Sequence, residues 1–409
     1  MSARTIVAVG RLVTCDPARA TVEDPLGVID DGAVSFEGGR IVAVGTRRDV
    51  LEAAPLGATI LERPDAFASP GLVDAHTHAP FAGSRHAEYA LRMAGAGYEE
   101  MARAGGGIVS SMRAVRGASR AELAALLHRR LSRMARLGVT TVEAKSGYGL
   151  DLANEMKQLE AVADAGARAE LPRVVPTYLA LHALDPEAGL DREGLAARVA
   201  TIDLPAIAGS GLARFVDVYV DRSAFSADQG RLVLARAREL GLGARIHAGQ
   251  FADVGGAELA AELGAASADH LEHVGPEGIA ALASRGIHAV MLPVASFTLG
   301  QAPPPVIALR AAGVRLVVAS DANPGTAPTE SLPLALAFAV RVYGLTVAEA
   351  ILGATREAAS SLGLDDVGML RAGARADVVL WDLPHEAALV QPHGTARAAA
   401  VWRDGARIV

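Results

Sequence analysis

The sequence contains little cysteine and no long apolar run. Cys15 is the only cysteine among 409 residues, which excludes an internal disulfide and a metal cluster built from thiolates. No run of about eighteen uncharged apolar residues occurs, so no membrane span is expected. The first thirty residues carry Asp16, Glu23, Asp24 and Asp30 and lack the apolar segment of a secretory signal. A soluble, cytoplasmic protein is therefore expected.

Aromatic residues and basic blocks are also scarce. Phe, Trp and Tyr make up 4% of the chain, so Ala, Leu, Val and Gly must fill the core. The formal net charge is −7 and basic residues are scattered among acidic ones, which leaves no basic patch for nucleic acid. A chain of 409 residues is long enough for one large domain and a smaller one. The expected partner is a small-molecule substrate, and neither nucleic acid nor a membrane.

The two ends of the chain share a β-type pattern. Four runs of this type are Thr5–Thr14, Gly32–Gly45, Ala376–Leu383 and Ala398–Val409. Gly38-Gly39 and Asp404-Gly405 supply two-residue hairpin turns within two of these runs. We therefore predict a small β-sandwich domain built from both termini, over residues 1-66 and 371-409.

Between the ends, strand-like and helix-like segments alternate. Candidate strands end near His76, Lys145, Leu179, Val220, His247, His270, Pro293 and Asp321. A helix is predicted over Ser119–Leu137, because Ser119 and Glu122 form a capping box and Gly138 follows. Eight strand-then-helix units are the pattern of a (β/α)8 barrel. The predicted fold class is α/β, with a (β/α)8 TIM-like barrel over residues 67-370.

The strongest local motif is Pro70-Gly-Leu-Val-Asp-Ala-His76-Thr-His78. Residues two apart in a strand point to the same face, so His76 and His78 can bind one ion. A His-x-His pair alone is a weak signal. Here the pair ends the first barrel strand, and barrel enzymes carry their chemistry at the C-terminal ends of their strands. The motif therefore predicts a metal site.

His247, His270 and Asp321 end later strands and strengthen that prediction. Any one of them alone is better explained as a capping residue or a buried hydrogen-bonded group. Buried together without partners, they would cost on the order of several kcal/mol. Three imidazoles and one carboxylate suit one Zn²⁺ or Fe²⁺ ion with a position left for water. Such an ion lowers the pKa of its water towards ~7 and polarises a carbonyl, and either Asp321 or His270 can take the proton of that water.

Over nearly its whole length the chain resembles the amidohydrolase superfamily. The first-strand motif, Ser320-Asp321 and the segment Gly368–Asp382 are common in that superfamily. More specific motifs are Phe81-Ala-Gly-Ser-Arg85, Ala104-Gly-Gly-Gly-Ile108, Glu143-Ala-Lys-Ser-Gly-Tyr-Gly-Leu150 and Asp321-Ala-Asn-Pro-Gly-Thr326. In this order they resemble the imidazolonepropionases.

The resemblance implies a reaction, a cofactor and a set of site residues. The expected reaction is hydrolysis of the ring C–N (lactam) bond of 4-imidazolone-5-propanoate to N-formimidoyl-L-glutamate, in histidine degradation. One metal ion per chain, Zn²⁺ or iron (Fe²⁺ or Fe³⁺), and a homodimer are expected. The implied metal ligands are His76, His78, His247 and Asp321. The implied substrate contacts are Arg85, Tyr148, His182, Gln250, Asn323, Gly325 and Thr326. The implied catalytic residues are His270, Asp321 and Gln250.

The chemistry of these side chains agrees with such a substrate. A guanidinium grips a carboxylate bidentately, which suits Arg85 to the propanoate tail. The Tyr148 hydroxyl can donate to the tail or the ring. His182 is expected to hydrogen-bond the ring carbonyl or to stabilise its developing oxyanion. The loop after Asp321 is expected to hold the product through side-chain and backbone groups. A surface ion pair, a packed aromatic and a plain turn are the alternatives for Arg85, Tyr148 and this loop.

Three places depart from the family pattern and bear on substrate fit. Gly249 stands where family members often carry an acidic residue, and Ala322 where they commonly carry cysteine. The stretch Val294–Pro303 also matches poorly.

Three other readings stay open. Metal-dependent deaminases share the fold and ligand set but typically place Glu where this chain has Gln250, and an amide cannot exchange a proton near neutral pH. Some amidohydrolases bridge two metals with a carbamylated lysine, but Lys145 comes early in the barrel and an ion-pair or packing role suits it better. A non-enzymatic scaffold should have lost metal ligands, and none is missing from the sequence.

Overall fold

The computed structural model describes residues 4–95 and 106–409. The strands in these residues are β1 (Thr5–Val13), β2 (Val28–Glu37), β3 (Arg40–Thr46), β4 (Thr59–Pro70), β5 (Leu72–Asp74), β6 (Val139–Lys145), β7 (Arg173–Leu181), β8 (Phe215–Val220), β9 (Gly243–Ala248), β10 (Ser267–His270), β11 (His288–Met291), β12 (Arg315–Val318), β13 (Val378–Trp381), β14 (Ala398–Arg403) and β15 (Ala406–Arg407). The α-helices are Arg47–Glu52, His86–Met93, Ile108–Gly117, Arg120–Arg136, Leu152–Gly166, Arg192–Arg198, Leu204–Ser210, Ala227–Glu239, Gly256–Leu263, Pro276–Arg285, Pro293–Leu299, Val306–Ala311, Leu332–Arg341, Val347–Gly353, Arg356–Ser361 and Ala387–Val390.

Strands β5 to β12 form the barrel. They lie side by side in chain order in one sheet, and each hydrogen-bonded pair is parallel. The seam between the first and last strands is closed by the Asp321 N–H, which donates to the carbonyl oxygen of His76 (3.1 Å), and by the His78 N–H, which donates to that of Ala322 (3.0 Å). The predicted (β/α)8 barrel is confirmed. The chain continues to pair across this seam after β5 ends at Asp74 and β12 ends at Val318. The side chains that follow the two strands therefore point towards the same mouth of the barrel.

Helices cover the outside of the barrel, and the helix predicted over Ser119–Leu137 begins at its predicted cap. Ser119 caps the helix Arg120–Arg136, and both hydrogen bonds of its capping box with Glu122 are present. Leu123, Leu127, Leu131 and Met134 follow at helical spacing and are fully buried. Aliphatic side chains of this kind, with few aromatic rings, fill the main core.

Both termini contribute to one further sheet, as predicted. Its seven strands run in the order β15-β14-β13-β4-β1-β2-β3. Three strands separate β14 from β2 in that order, yet the rings of Trp402 and Phe36 lie 5.8 Å apart. The sheet therefore curls over its own apolar core. Strand β4 (Thr59–Pro70) runs across the predicted domain boundary at residue 66, and the boundaries of the two domains stay a prediction.

The predicted hairpin turns lie between β2 and β3 and between β14 and β15. Both central residues of each turn have positive φ: Gly38 and Gly39 in the first, and Asp404 and Gly405 in the second. Among the described residues, no helix has the length and apolar character that a membrane crossing requires.

Candidate metal centre and active site

Four side chains from strands β5, β9 and β12 meet in the barrel mouth. Ligand atoms of His76, His78 and His247 lie within 4.8 Å of one another, and all three residues are buried. The Oδ1 atom of Asp321 lies 3.5 Å from Nε2 of His76 and 3.4 Å from Nε2 of His78. The Nε2 atoms of His247 and His78 lie 3.3 Å apart. The structure thus brings the four implied ligands to one centre.

These spacings fit a tetrahedral ion. Ligand atoms that each lie about 2.05 Å from a tetrahedral Zn²⁺ are about 3.3 Å from one another. Within residues 4–95 and 106–409, Nε2 of His76 and Oδ1 of Asp321 are buried without a hydrogen-bond partner, which is costly for polar atoms unless a cation satisfies them. Burial holds the pKa of His76 and of His78 well below the ordinary range, so both rings are neutral and can offer lone pairs. The donor set can therefore hold a metal ion.

Two buried carboxylates orient two of these imidazoles from behind. Oδ2 of Asp269 lies 2.6 Å from Nδ1 of His76, and Oδ1 of Asp217 lies 3.0 Å from Nδ1 of His247. Because a carboxylate accepts the Nδ1–H, each ring is left with its Nε2 lone pair facing the centre. The sequence analysis missed both residues. A single charged residue inside an otherwise apolar strand, as in β8, is the signal that could have revealed Asp217.

Lys145 is fully buried beside these carboxylates. Its Nζ lies 2.8 Å from Oδ2 of Asp217 and 2.8 Å from Oε1 of Glu143. Burial acts to lower the pKa of Lys145, but the two carboxylates outweigh it and raise that pKa. The same ammonium, together with the His247 ring, holds the pKa of Asp217 below its ordinary value against the effect of burial. Lys145 thus occupies an ion-paired position.

His270 lies at the edge of the centre, at the end of β10. Its ring centroid is 5.5 Å from that of His247 and 6.0 Å from that of His76. Its φ is +80°, and Asp321 has a φ of +55°; such backbone strain in residues other than glycine clusters at functional sites. Burial acts to lower the pKa of His270, but Glu272 and Asp321 raise it. The same burial raises the pKa of Asp321 to about 6. Both groups lie where they could exchange protons with a water at the centre.

Tyr148 and His182 pack on the His78 side of the centre. The ring centroids of His78 and His182 are 5.4 Å apart, and those of Tyr148 and His182 are 5.2 Å apart. Nδ1 of His182 lies 2.7 Å from the carbonyl oxygen of Gly147. A carbonyl oxygen only accepts, so Nδ1 of His182 carries the proton. Burial lowers the pKa of His182 to about 4, and Nε2 of the neutral ring is therefore a hydrogen-bond acceptor.

The loop that carries Tyr148 is held by Glu155, which sequence reasoning also missed. The Glu155 carboxylate accepts the N–H groups of Gly147 (2.6 Å), Gly149 (2.7 Å) and Leu150 (2.8 Å). Glu155 is buried, and burial raises its pKa to about 7. One side chain thus fixes the backbone on both sides of Tyr148.

Arg85, Asn323 and Gly325 line a cavity of about 250 Å³ beside the loop that follows Asp321. A Cβ atom on Gly325 would lie 2.2 Å from Nη1 of Arg85, so a larger residue here would push the guanidinium aside. The Asn323 side chain accepts the N–H groups of Gly325 (2.8 Å) and Thr326 (2.7 Å) and donates to the carbonyl oxygen of Asp321 (2.7 Å). Asn323 therefore shapes the loop that joins this cavity to the metal centre.

Gln250 follows His247 and is buried. Its Oε1 accepts the Tyr219 hydroxyl at 2.7 Å, and the Tyr219 ring lies 5.7 Å from that of His247. The poorly matching stretch Val294–Pro303 reaches this region, because Nε2 of Gln301 donates to the backbone oxygen of Gln250 at 2.7 Å. Of the family-like motifs, Ala104 and Gly105 lie outside the described residues.

Comparison with known proteins agrees with the fold. The amidohydrolase family model matches residues 67–408. An imidazolonepropionase of Caulobacter vibrioides is 46% identical over 400 residues, which cover 96% of this chain and 97% of that protein. The imidazolonepropionase of Shewanella woodyi is 41% identical over 396 residues, or 96% of each chain.

Solved structures with the same fold are more distant in sequence. An adenosine deaminase from Xanthomonas campestris with bound zinc superposes with a TM-score of 0.70 at 21% identity, over 99% of this chain and 92% of that one. A triazine hydrolase variant has a TM-score of 0.72 at 18% identity, over 99% and 94%. Identities this low establish the fold, whereas the full-length relatives establish the family. The chain belongs to the amidohydrolase family and, within it, to the imidazolonepropionases.

Proposed function

We propose that this chain hydrolyses the ring C–N (lactam) bond of 4-imidazolone-5-propanoate and releases N-formimidoyl-L-glutamate, as a step of histidine degradation. The observation that carries the proposal is the combination of two neighbouring features in one barrel mouth. One is the centre made by His76, His78, His247 and Asp321, and the other is a cavity lined by the Arg85 guanidinium. The first suits hydrolysis, and the second suits an anionic tail.

We propose that His76, His78, His247 and Asp321 hold one Zn²⁺ or iron ion. When bound, the ion would supply Lewis acidity and would lower the pKa of a coordinated water. Zn²⁺ and Fe²⁺ both accept imidazole and carboxylate ligands, so this donor set does not choose between them. The homodimer and the cytoplasmic location stay predictions.

Asp321 and His270 are the proposed proton carriers. Both are buried beside the centre, and the pKa of each is raised, to about 6 for Asp321 by burial and, for His270, by Glu272 and Asp321 against the effect of burial. We assign them to accept the proton of the attacking water and to return a proton to the ring nitrogen as the C–N bond breaks. Gln250 stays uncharged at every working pH, so we assign its amide to orient the substrate, with Tyr219 fixing its oxygen.

His182 is assigned to a different task from the one that the sequence suggested. Its Nδ1 proton is committed to the Gly147 carbonyl, and the neutral ring offers only a lone pair at Nε2. Such an atom cannot donate to a developing oxyanion. We propose instead that Nε2 of His182 accepts an N–H of the imidazolone ring, while the Tyr148 hydroxyl beside it donates to the substrate.

An absorbance assay with a small substrate panel tests the proposal. The panel contains 4-imidazolone-5-propanoate, an imidazolone without the tail, a simple cyclic amide, adenine and cytosine. Rapid turnover is expected for imidazolonepropanoate, weaker turnover for the tail-less ring, and none for the aminated heterocycles. Ammonia release from adenine or cytosine, with imidazolonepropanoate untouched, would show a deaminase instead.

A further inference from the structure

The guanidinium assigned to the substrate tail is already engaged by a neighbouring carboxylate. In helix His86–Met93, Glu88 lies one turn after Arg85, and its carboxylate accepts from both Nε and Nη2 of Arg85; the first of these bonds is 2.9 Å long. The side chains are only 18% and 12% exposed, so the pair is better shielded than a surface ion pair. The Gly107 N–H donates to Oε2 of the same carboxylate at 2.6 Å. Glu88 is therefore held by groups from two segments of the chain.

This pairing decides which edge of Arg85 is available. A guanidinium has five N–H donors and two edges that can each bind a carboxylate bidentately. Glu88 occupies the edge formed by Nε and Nη2. Among the described residues, no group pairs with the edge formed by Nη1 and Nη2, and Nη1 is the atom that packs against Gly325 in the wall of the cavity.

We propose that Glu88 is a positioning residue, which turns the Nη1–Nη2 edge of Arg85 towards the cavity so that this edge binds the carboxylate of the substrate. The proposal rests on the proposed function for the identity of that carboxylate. The substrate carboxylate would then bind the Nη1–Nη2 edge of Arg85, and the Glu88 carboxylate would keep the Nε–Nη2 edge.

The charges around the cavity allow an anion to bind despite Glu88. Arg92 lies on the same helix and its Nη2 is 3.5 Å from the carbonyl oxygen of Gly325. It also adds to the positive field that keeps the pKa of Glu88 low. Of the described charged groups here, Arg85, Arg92 and Arg130 outnumber Glu88 and Glu330, so the group can accept one further carboxylate. Glu88 thus has two opposing effects on substrate binding, since it repels the tail but orients the group that binds it.

The direction in which KM changes when Glu88 is replaced separates these two effects. Glu88→Gln removes the charge and one acceptor, and Glu88→Asp keeps the charge but withdraws it by one methylene. If orientation dominates, both variants raise KM for imidazolonepropanoate by about tenfold, the effect of losing a charge-assisted contact, and change kcat less than about twofold. Glu262→Gln is the matched control, because Glu262 pairs bidentately with Arg231 on the outer helices. Glu262→Gln should leave KM and kcat unchanged.

A binding measurement makes the test independent of turnover. Calorimetry compares 3-(imidazol-4-yl)propanoate with its amide, on the original protein and on Glu88→Gln. The proposal predicts weaker binding of the propanoate alone. A lower KM or tighter propanoate binding in Glu88→Gln would mean that Glu88 only repels the tail, and unchanged values would mean that it does nothing to Arg85; either result overturns the proposal. An equal loss for the amide would assign Glu88 a merely structural role. Absence of imidazolonepropanoate turnover in the original protein would remove the proposed function, while the calorimetric comparison would still decide the role of Glu88.

Discussion

Replacing Asp269 by Asn should weaken metal binding without removing any ligand. Oδ2 of Asp269 lies 2.6 Å from Nδ1 of His76, and Asp269 is fully buried. The amide has no charge, so it polarises the imidazole less and holds the ring orientation less firmly. Loss of such an outer partner costs about 10–100-fold in metal affinity, which corresponds to about 1.4–2.7 kcal/mol. Asp217→Asn should act in the same direction on His247 and by less, because its bond is longer at 3.0 Å.

The assay is competition for Zn²⁺ between the protein and a chromogenic chelator. Asp377→Asn is the matched control, since Asp377 is also buried but pairs with Arg173 at 2.8 Å, next to the terminal sheet. This control should lower the melting temperature and leave the metal dissociation constant unchanged. Equal metal affinity in Asp269→Asn and the original protein would refute the orienting role. A loss of affinity shared by the control would attribute the effect to general destabilisation.

Two more predictions concern single carboxylates. Asp321→Asn should abolish turnover of imidazolonepropanoate and weaken Zn²⁺ binding, because it removes both a ligand and a proton acceptor; near-normal turnover would disprove that role. Burial raises the pKa of Glu155 from 4.5 to about 7, so its contribution to stability is complete below pH 4.5 and is lost as the pH rises through about 7. As the pH rises across this range, the free energy of unfolding measured with denaturant should therefore fall for the original protein relative to Glu155→Gln. A difference that is constant with pH would contradict the raised pKa.

The barrel could be predicted because its signals are local. A strand appears as a short apolar run that ends in a polar residue, and Ser119 with Glu122 marks a helix start within four residues of sequence. The same logic located His76 and His78, which follow one strand. The joining of the two termini was also predictable, because both ends carry the same hairpin pattern.

The supporting groups could not be predicted in this way, since they depend on contacts between distant segments. Asp269 meets His76 across 193 positions of the chain. The donor role of Nδ1 in His182 depends on a carbonyl 35 positions earlier. Glu88 is close to Arg85 in sequence, but only the structure shows that it takes one edge of the guanidinium and leaves the other to the cavity.

The most direct test of the account is metal restoration. Protein stripped with a chelator is titrated with Zn²⁺, and separately with Fe²⁺ under anaerobic conditions, while the loss of imidazolonepropanoate is followed by absorbance. We expect no turnover in the stripped protein and a linear return of activity that ends at about one equivalent per chain. Full activity in the stripped protein, or none at any metal concentration, would contradict it.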